Sequence, residues 1–264
     1  MNPLPILNYH GIESWEGEYD WTPTERTYVI GRRTFEAQLD RLVSDGFVTL
    51  SLDELSNRIG EYDQEKRILL TFDDAHVSHL EHVLPGLKKR SLKGIFFVPT
   101  GLVGKTGQMG WAELRELVKQ GFEVGSHGHQ HIPLTNLPLR ELEAEIELSK
   151  KMLEDRLGIE VTSFSVPRGF YHPRIKKAAV RAGYRFVFTS QFGLNRKKLD
   201  FFSLKRLALT RAISMNRFSE LLQGKLGAQR YSEPLKEFAR RFVSPTVYRQ
   251  LADIKSRVAV GGAQ

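Results

Sequence analysis

Two adjacent aspartates and three alternating histidines are the residues of this chain best suited to chemistry. Asp73 and Asp74 end the apolar run "RILLTFDD", and His127, His129 and His131 follow the run "FEVGS". Neighbouring carboxylates repel each other, and an ionised carboxylate buried without a partner is strongly unfavourable. A metal cation would neutralise one of the two aspartates, so the pair indicates a cation site.

The histidine spacing indicates how such a cation could be held. If the backbone turns into a helix after "FEVGS", His127 and His131 lie one turn apart on one face, a spacing that can grip a divalent ion. With one carboxylate from Asp73 or Asp74 they would form a two-histidine, one-carboxylate site with open positions for water and substrate. The chain has no cysteine, so thiolate ligands are excluded. The residues therefore predict a hydrolytic metal site.

Each motif alone also has an ordinary structural explanation. An Asp-Asp pair after a strand can cap a helix or bind Mg²⁺ at a phosphate site, and a run of histidines can form an exposed loop. Three further histidines, His76, His79 and His82, continue into a predicted helix. We expect those three to face solvent or to cap that helix.

The segments around these motifs alternate between strand and helix patterns. Short apolar clusters bounded by Gly, Pro, Ser or Asp predict buried strands: "PILNYH", "FVTLSL", "RILLTF", "KGIFFVP", "GFEVGSH", "TSFSVP" and "YRFVFTS". Alternation with helices predicts βαβ units and a parallel sheet, either closed into a barrel or doubly wound. Ligands gather at the carboxyl ends of such strands. Asp73/Asp74, His127 and Pro167/Arg168 each follow a cluster, so we expect them to face one pocket.

The charge of the chain is concentrated at its C-terminal end. Residues 203–264 carry twelve Lys and Arg against four Asp and Glu, which accounts for the net charge of +8. We interpret this basic end as separate from the chemistry, either as a solvated helical face or as a contact for an anionic membrane surface or polyanion. The start, "MNPLPILNYHGIESW", lacks the pattern of an export signal, so we expect a cytoplasmic protein.

Four motifs in order carry a family resemblance. "LLTFDD", "EVGSHGHQH", "FSVPRG" and "GYRFVFTS" resemble the motifs of NodB-like polysaccharide deacetylases, carbohydrate esterases that remove N-acetyl groups from chitin oligomers, peptidoglycan or exopolysaccharides. The resemblance runs from about Leu4 to Ile213. It implies an α/β fold, a distorted (β/α) barrel of mostly parallel strands with extra C-terminal helices. The implied domains are a catalytic domain over 1–213 and a basic helical extension over 214–264.

The resemblance also implies roles for single residues. Asp73 matches the general base of the family, and three residues match its metal ligands: Asp74, His127 and His131. The implied cofactor is a divalent metal, first Zn²⁺, with Co²⁺ or Ni²⁺ as alternatives, which would lower the pKa of its water and polarise the acetyl carbonyl.

The match to "FSVPRG" implies that the backbone N–H of Arg168 donates to the oxyanion that forms during hydrolysis. The resemblance as a whole also implies substrate-binding positions, at Pro167, Gly169 and Trp111.

The chain departs from the family pattern at three places. Gly128 stands where related enzymes have Ser or Thr, and Ser165 stands where they have an Arg that orients the base. We expect Arg168 to take over that orientation. No histidine follows His172, so the C-terminal Leu-x-His motif that supplies the general acid is missing.

A substitute for that acid lies near the start of the chain. "ILNYHGI" resembles the N-terminal segment of circularly permuted members, the poly-N-acetylglucosamine deacetylases of biofilm exopolysaccharides. In these the last strand and its histidine have moved to the front, so His10 would protonate the leaving amine. His129 is a second candidate for the acid, and His10 could instead merely pack at a strand end.

Three functions remain open from the sequence. The first is metal-dependent removal of N-acetyl groups from an N-acetylated sugar or polysaccharide in surface or exopolysaccharide biosynthesis. This function implies a carbohydrate partner and no nucleic acid, and the basic end would suit a peripheral position at the inner membrane. The alternatives are hydrolysis of another amide or ester on the same fold, and a degenerate carbohydrate-binding module.

Overall fold

Strands and helices alternate along the chain as the apolar clusters predict. The computed structural model describes residues 3–57, 65–169, 171–196 and 199–227. The strands are β1 (Ile6–Tyr9), β2 (Ile12–Glu13), β3 (Ile30–Gly31), β4 (Phe47–Thr49), β5 (Lys66–Phe72), β6 (Ile95–Val98), β7 (Glu123–Ser126), β8 (Ser163–Ser165), β9 (Phe186–Phe192) and β10 (Leu204–Ala208). The α-helices are α1 (Pro23–Arg26), α2 (Arg32–Ser44), α3 (Leu52–Asn57), α4 (Leu84–Lys89), α5 (Trp111–Lys119), α6 (Leu139–Leu157), α7 (Pro173–Arg181) and α8 (Met215–Leu222).

Seven parallel strands close into a barrel, which confirms the predicted α/β barrel. Their order is β1, β10, β9, β8, β7, β6 and β5, and β5 pairs back with β1. The barrel is distorted at β5, because two strands share one edge of it. β4 pairs with the first half of β5, and β1 pairs with the second half. Because the strands are parallel, their carboxyl ends meet at one rim of the barrel.

Successive side chains along a strand point to opposite faces of the sheet and so belong to two different hydrophobic clusters. In β5, Leu69 belongs to a smaller cluster with side chains from β1, β6, β9 and β10, which fills the barrel. Its neighbours Ile68 and Leu70 belong to the larger cluster between the strands and the helices. The same two-residue period places Thr71 and Asp73 on the inward side, above Leu69. The barrel interior therefore changes from apolar to polar toward the carboxyl-end rim.

The described part of the C-terminal region is packed onto the barrel. Ser214 caps α8 by accepting a hydrogen bond from the backbone N–H of Arg217, and Phe218 of α8 is buried in the larger cluster. The rest of the predicted basic extension, residues 228–264, lies outside the described residues, so its membrane contact and the domain boundary at 213/214 stay predictions. Among the described helices, none has the length and apolar character that a membrane span needs.

Glu123, at the opposite rim, makes stability depend on pH. Its Oε1 accepts a hydrogen bond from the N–H of Leu52 at 2.9 Å, while its buried Oε2 has no hydrogen-bond partner among the described residues. Burial raises the pKa of Glu123 from 4.5 to about 7. The pKa of Glu123 is thus higher in the folded protein than in the unfolded chain. Its contribution to the free energy of unfolding is therefore fully favourable below the pKa of the unfolded chain, and it is lost as the pH rises through the pKa of the folded protein.

We therefore expect Glu123→Gln to stabilise the protein by roughly 1–3 kcal/mol at pH 8 and by much less at pH 4.5. Urea unfolding at the two pH values measures the difference. The exposed Glu160 provides the control, because Glu160→Gln should change the free energy of unfolding equally at the two pH values. Equal effects of Glu123→Gln at both pH values would contradict the assignment.

Candidate active site

The two aspartates lie at the carboxyl-end rim in different surroundings. Asp73 continues the β5 ladder, because its backbone N–H donates to the carbonyl of Tyr9 at 3.0 Å. Asp74 and Ala75 then adopt left-handed backbone angles, with φ of 76° and 52°. Residues other than glycine rarely adopt such angles, and the strain concentrates at functional sites. This turn directs the two carboxylates into different environments.

Three predicted metal ligands come together. Asp74 Oδ1 lies 3.4 Å from His127 Nε2 and 3.0 Å from His131 Nε2. One ligand atom from each residue falls within 4.8 Å of the other two. The set comes from the ends of β5 and β7, as the predicted convergence requires. Its donors, one carboxylate oxygen and two imidazole nitrogens, suit Zn²⁺ and other divalent ions of the first transition row.

The surroundings of these donors also fit a cation. The Nδ1 atom of His127 lies 2.8 Å from the carbonyl oxygen of Ser165. An Nδ1–H that donates there leaves the Nε2 lone pair free for a metal. Asp74 Oδ1 is buried and has no hydrogen-bond partner among the described residues, despite its closeness to both imidazoles. A cation between the three groups would satisfy this oxygen, so the residues fit a divalent metal.

The predicted helix through the histidines is wrong. Residues 127–133 form a loop without helical structure. His127 and His131 approach each other because Gly128 has a φ of 73° and His131 a φ of 58°, which fold the loop back on itself. The two rings lie 4.8 Å apart. The two histidines thus come together as the spacing predicts, but through a folded loop and not through a helix, and their role as metal ligands stays a prediction.

Asp73 is held by a buried arginine from the opposite end of the sequence. Arg206, in β10, donates from Nη1 to Asp73 Oδ1 and from Nη2 to Asp73 Oδ2, both at 2.8 Å. The same guanidinium donates to Ser165 Oγ at 2.9 Å and to Asn8 Oδ1 at 3.0 Å. Asn8 in turn donates to Asp73 Oδ2 at 3.2 Å. This network fixes both oxygens of the Asp73 carboxylate.

The network also keeps Asp73 ionised. Burial alone would raise the pKa of Asp73, but the charges of Arg206 and His127 outweigh it and hold that pKa at about 2. Asp73 is therefore a carboxylate at any ordinary working pH.

Two expectations about arginines need correction. Arg206, not Arg168, orients Asp73, because Arg168 is exposed and its Nε lies 3.5 Å from the carbonyl oxygen of His131. The basic end is also not wholly separate from the chemistry, since Arg206 belongs to it. Ser165 stands where related enzymes carry the orienting arginine. Its short side chain leaves room for Arg206, which reaches over from β10 and donates to the Ser165 hydroxyl.

His10 reaches the same rim from the N-terminal strand. Tyr9 of β1 pairs with Phe72 of β5, so the residues that follow, His10 and Asp73, are neighbours at the ends of adjacent strands. Burial lowers the pKa of His10, and the negative charges of Asp74 and Asp73 oppose that shift. His10 Nδ1 has no hydrogen-bond partner among the described residues. An imidazole with one unpaired nitrogen therefore lies beside the carboxylates.

The second candidate acid, His129, is engaged elsewhere. Its Nδ1 lies 2.9 Å from Thr100 Oγ1, in the turn that follows β6. This contact ties the ring to the β6 side of the loop.

The remaining predicted positions lie on two elements. Pro167, Arg168 and Gly169 form a short turn after β8, in which Arg168 has a left-handed φ of 58°. Pro167 is buried there, next to Gly128. Trp111 begins α5, where its half-buried ring lies 5.8 Å from the guanidinium of Arg156 on α6. Substrate binding by these positions stays a prediction.

His76, His79 and His82 are buried, so the first alternative, that they face solvent, is wrong. The second alternative, capping, describes His76, whose Nδ1 accepts from the backbone N–H of Ser78 at 3.1 Å. The three histidines belong to a turn that continues as a π-helical segment over His79–Val83. Tyr19 and Trp21 of the loop after β2 cover His76 and His82, with the ring of Trp21 4.1 Å from that of His76. His79 packs instead against Phe72 and Phe96 of the barrel strands.

A second group of possible ligands lies beside that loop. Glu18, Glu81 and His82 offer atoms close enough for a cation. However, His82 Nε2 lies 3.1 Å from Glu18 Oε2, and the hydroxyl of Tyr19 donates to Glu81. Hydrogen bonds between these groups account for the arrangement.

Comparison with known proteins agrees with this fold. The polysaccharide deacetylase family profile matches residues 60–187. The Bacillus subtilis protein YxkH, provisionally called a polysaccharide deacetylase, is 26% identical over 222 residues, which are 83% of this chain and 76% of YxkH.

Two solved structures share the fold. The Streptococcus pyogenes deacetylase PplD, in complex with acetate, matches with a TM-score of 0.74 at 24% identity, over 85% of this chain and 98% of PplD. IcaB from Ammonifex degensii matches with a TM-score of 0.72 at 26% identity, over 86% of this chain and 98% of IcaB. The chain is therefore similar to polysaccharide deacetylases over residues 60–187, and it shares the barrel fold of the two solved structures.

Proposed function

We propose that this protein hydrolyses the N-acetyl group of an amino sugar in a polysaccharide or oligosaccharide, with a divalent cation held by Asp74, His127 and His131. The observation that carries the proposal is an ionised carboxylate beside the three candidate ligands, with Asp73 Oδ2 3.9 Å from His127 Nε2. A module that only binds carbohydrate has no need for a metal-ligand set with a separate, oriented carboxylate. The family match supports the substrate class.

Each residue of the rim has a part in this reaction. A bound cation such as Zn²⁺ supplies a Lewis acid that polarises the acetyl carbonyl and lowers the pKa of a water molecule. Asp73 accepts the proton of the attacking water, and Arg206 holds Asp73 in position for that step. The backbone N–H of Arg168 donates to the oxyanion, and His10, in its protonated form, donates its own proton to the leaving amine.

We further propose that the protein is of the circularly permuted type. β1 lies between β10 and β5, so a strand from the start of the chain completes the barrel. This position delivers His10, in a chain that has no histidine after His172. Poly-N-acetylglucosamine and other N-acetylated surface polysaccharides are accordingly the first substrates to test.

Acetate release from N-acetylglucosamine oligomers tests the proposed function. The protein is treated with a chelator, and Zn²⁺, Co²⁺ or Ni²⁺ is then restored. We expect equal amounts of acetate and free amine, loss of both after chelation, and recovery with a divalent ion. N-formyl amides and aryl acetates serve as comparison substrates. Efficient hydrolysis of these alone would instead favour another amide or ester hydrolase.

His10→Ala is expected to lower kcat on the N-acetyl substrate by about 10²–10³, because the amine cannot leave without a proton. An activated aryl ester should be affected much less, since its leaving group needs no proton. Steady-state kinetics on both substrates, with the metal content measured, separates the two effects.

His129→Ala is the matched variant for this test. Because the ring of His129 is engaged with Thr100, this substitution should not change the ratio of amide to ester hydrolysis. If His129→Ala alone shows the selective loss on the amide, the acid is His129 and the assignment of His10 is wrong.

A further inference from the structure

The loop that carries the two candidate histidine ligands is held by a buried glutamate on α6. Glu145 is 6% exposed, and its Oε2 accepts hydrogen bonds from the backbone N–H of His129 at 3.0 Å and of Gln130 at 2.9 Å. Burying a carboxylate is unfavourable unless hydrogen bonds replace its water. Its two donors here are consecutive amides in the middle of the loop. One oxygen atom thus fixes the direction of the backbone between His127 and His131.

The opposite side of the loop is bound to the turn after β6. Thr100 N–H donates to the carbonyl of Gly128 at 3.1 Å, and Gly101 N–H donates to the carbonyl of His129 at 2.8 Å. A Cβ atom at Gly101 would lie 2.7 Å from that carbonyl oxygen, so the contact is close. Because the loop is not helical, these bonds to other elements replace the internal hydrogen bonds of a helix. The loop therefore depends on both neighbours for its shape.

A second side chain of α6 supports the start of the same loop. Ser149, one helical turn beyond Glu145, is buried with its Oγ 2.7 Å from Ser126 Oγ. Ser126 Oγ also accepts from the N–H of Gly128 at 3.1 Å. Residues four apart on a helix share one face, so α6 presents both polar groups to the loop together. The loop is consequently held by α6 on both sides of His127.

We infer that Glu145 is a positioning residue that sets the affinity of the site for its cation by fixing the loop between His127 and His131. This inference rests on the proposed function only in taking these histidines as metal ligands. Groups that orient metal ligands without touching the metal contribute about 10- to 100-fold to metal affinity. Without Glu145, two backbone N–H groups lose their acceptor, and the loop must rearrange to reach another.

Glu145→Ala should therefore weaken Zn²⁺ binding by about 10- to 100-fold. Glu145→Gln should restore binding to within about threefold, because a side-chain carbonyl oxygen can accept from the same two amides. The exposed Glu147 of the same helix is the matched control, and Glu147→Ala should bind as the unaltered protein does. Competition with a chromophoric chelator measures the affinity of chelator-treated protein. Circular dichroism confirms that each variant is folded.

Glu145→Asp keeps the inference testable should Glu145→Ala not fold. It retains a carboxylate but draws it back by one methylene, so the loop must shift to keep its hydrogen bonds. We expect weaker Zn²⁺ binding and an altered visible absorption spectrum with Co²⁺. Unaltered affinity in folded Glu145→Ala or Glu145→Asp would overturn the inference, as would equal losses in Glu145→Ala and Glu145→Gln. These readouts do not involve turnover, so failure to release acetate would count against the proposed function alone.

Discussion

Replacing Asp73 by Asn is expected to lower kcat by about 10²–10⁴ and to leave the cation in place. Both oxygens of Asp73 are occupied by Arg206, and Asp73 Oδ2 is 3.9 Å from the nearer imidazole, so this carboxylate is placed beside the metal ligands rather than among them. Asn has nearly the same shape but cannot accept a proton from water. Acetate release and metal content, measured on the same preparation, test both halves of this expectation.

Asp74→Asn is the matched variant, and it should lose the cation as well as the activity. Asp74 Oδ1 faces both His127 and His131, and an amide oxygen is a weaker and uncharged ligand. If the two variants retain the same amount of metal, the division of roles between Asp73 and Asp74 is wrong.

Arg206→Met should destabilise the protein by about 3–5 kcal/mol, because it leaves the buried Asp73 carboxylate without its ionic partner. Arg206 is 1% exposed and Asp73 is 2% exposed, so water cannot replace the lost interaction. Arg206→Lys should recover only part of the loss, since an ammonium group cannot form the two parallel hydrogen bonds. Urea unfolding of the metal-free protein measures the effect without interference from the cation.

Two further variants show whether the effect comes from the ion pair. Lys205 is the exposed neighbour in β10, and Lys205→Met should change stability by no more than about 0.5 kcal/mol. Adding Asp73→Asn to Arg206→Met should restore part of the stability, because the unpaired charge is then removed. Additive losses in the double variant would show that Asp73 and Arg206 are not coupled.

The fold could be predicted from local patterns because the barrel strands other than β10 are short apolar runs bounded by residues that end strands. "RILLTF" and "KGIFFVP" become β5 and β6. The closure of the barrel was not encoded in any one segment. It depends on the pairing of β1 with β5 and β10, which joins opposite ends of the sequence.

The candidate site was predictable only where its residues follow strands directly. Asp73 and His127 come immediately after such segments, with Asp74 next in the chain, and the order of the strands brings them together. Arg206 was missed because its partner is 133 residues away. The signal for it was present, since a charged residue on the inward side of the apolar strand "LKRLA" requires a buried partner. Glu145 carries no comparable signal, because a helix rich in glutamate gives no indication of which one is buried.

The most direct test of the account is a titration of chelator-treated protein with Zn²⁺, in which bound metal and acetate release from N-acetylglucosamine oligomers are measured together. We expect acetate release to rise in proportion to bound Zn²⁺, to level off at one ion per chain, and to be absent from His127→Ala at every Zn²⁺ concentration. Full activity in the metal-free protein would contradict the account. So would one bound ion per chain without acetate release from any N-acetylated sugar.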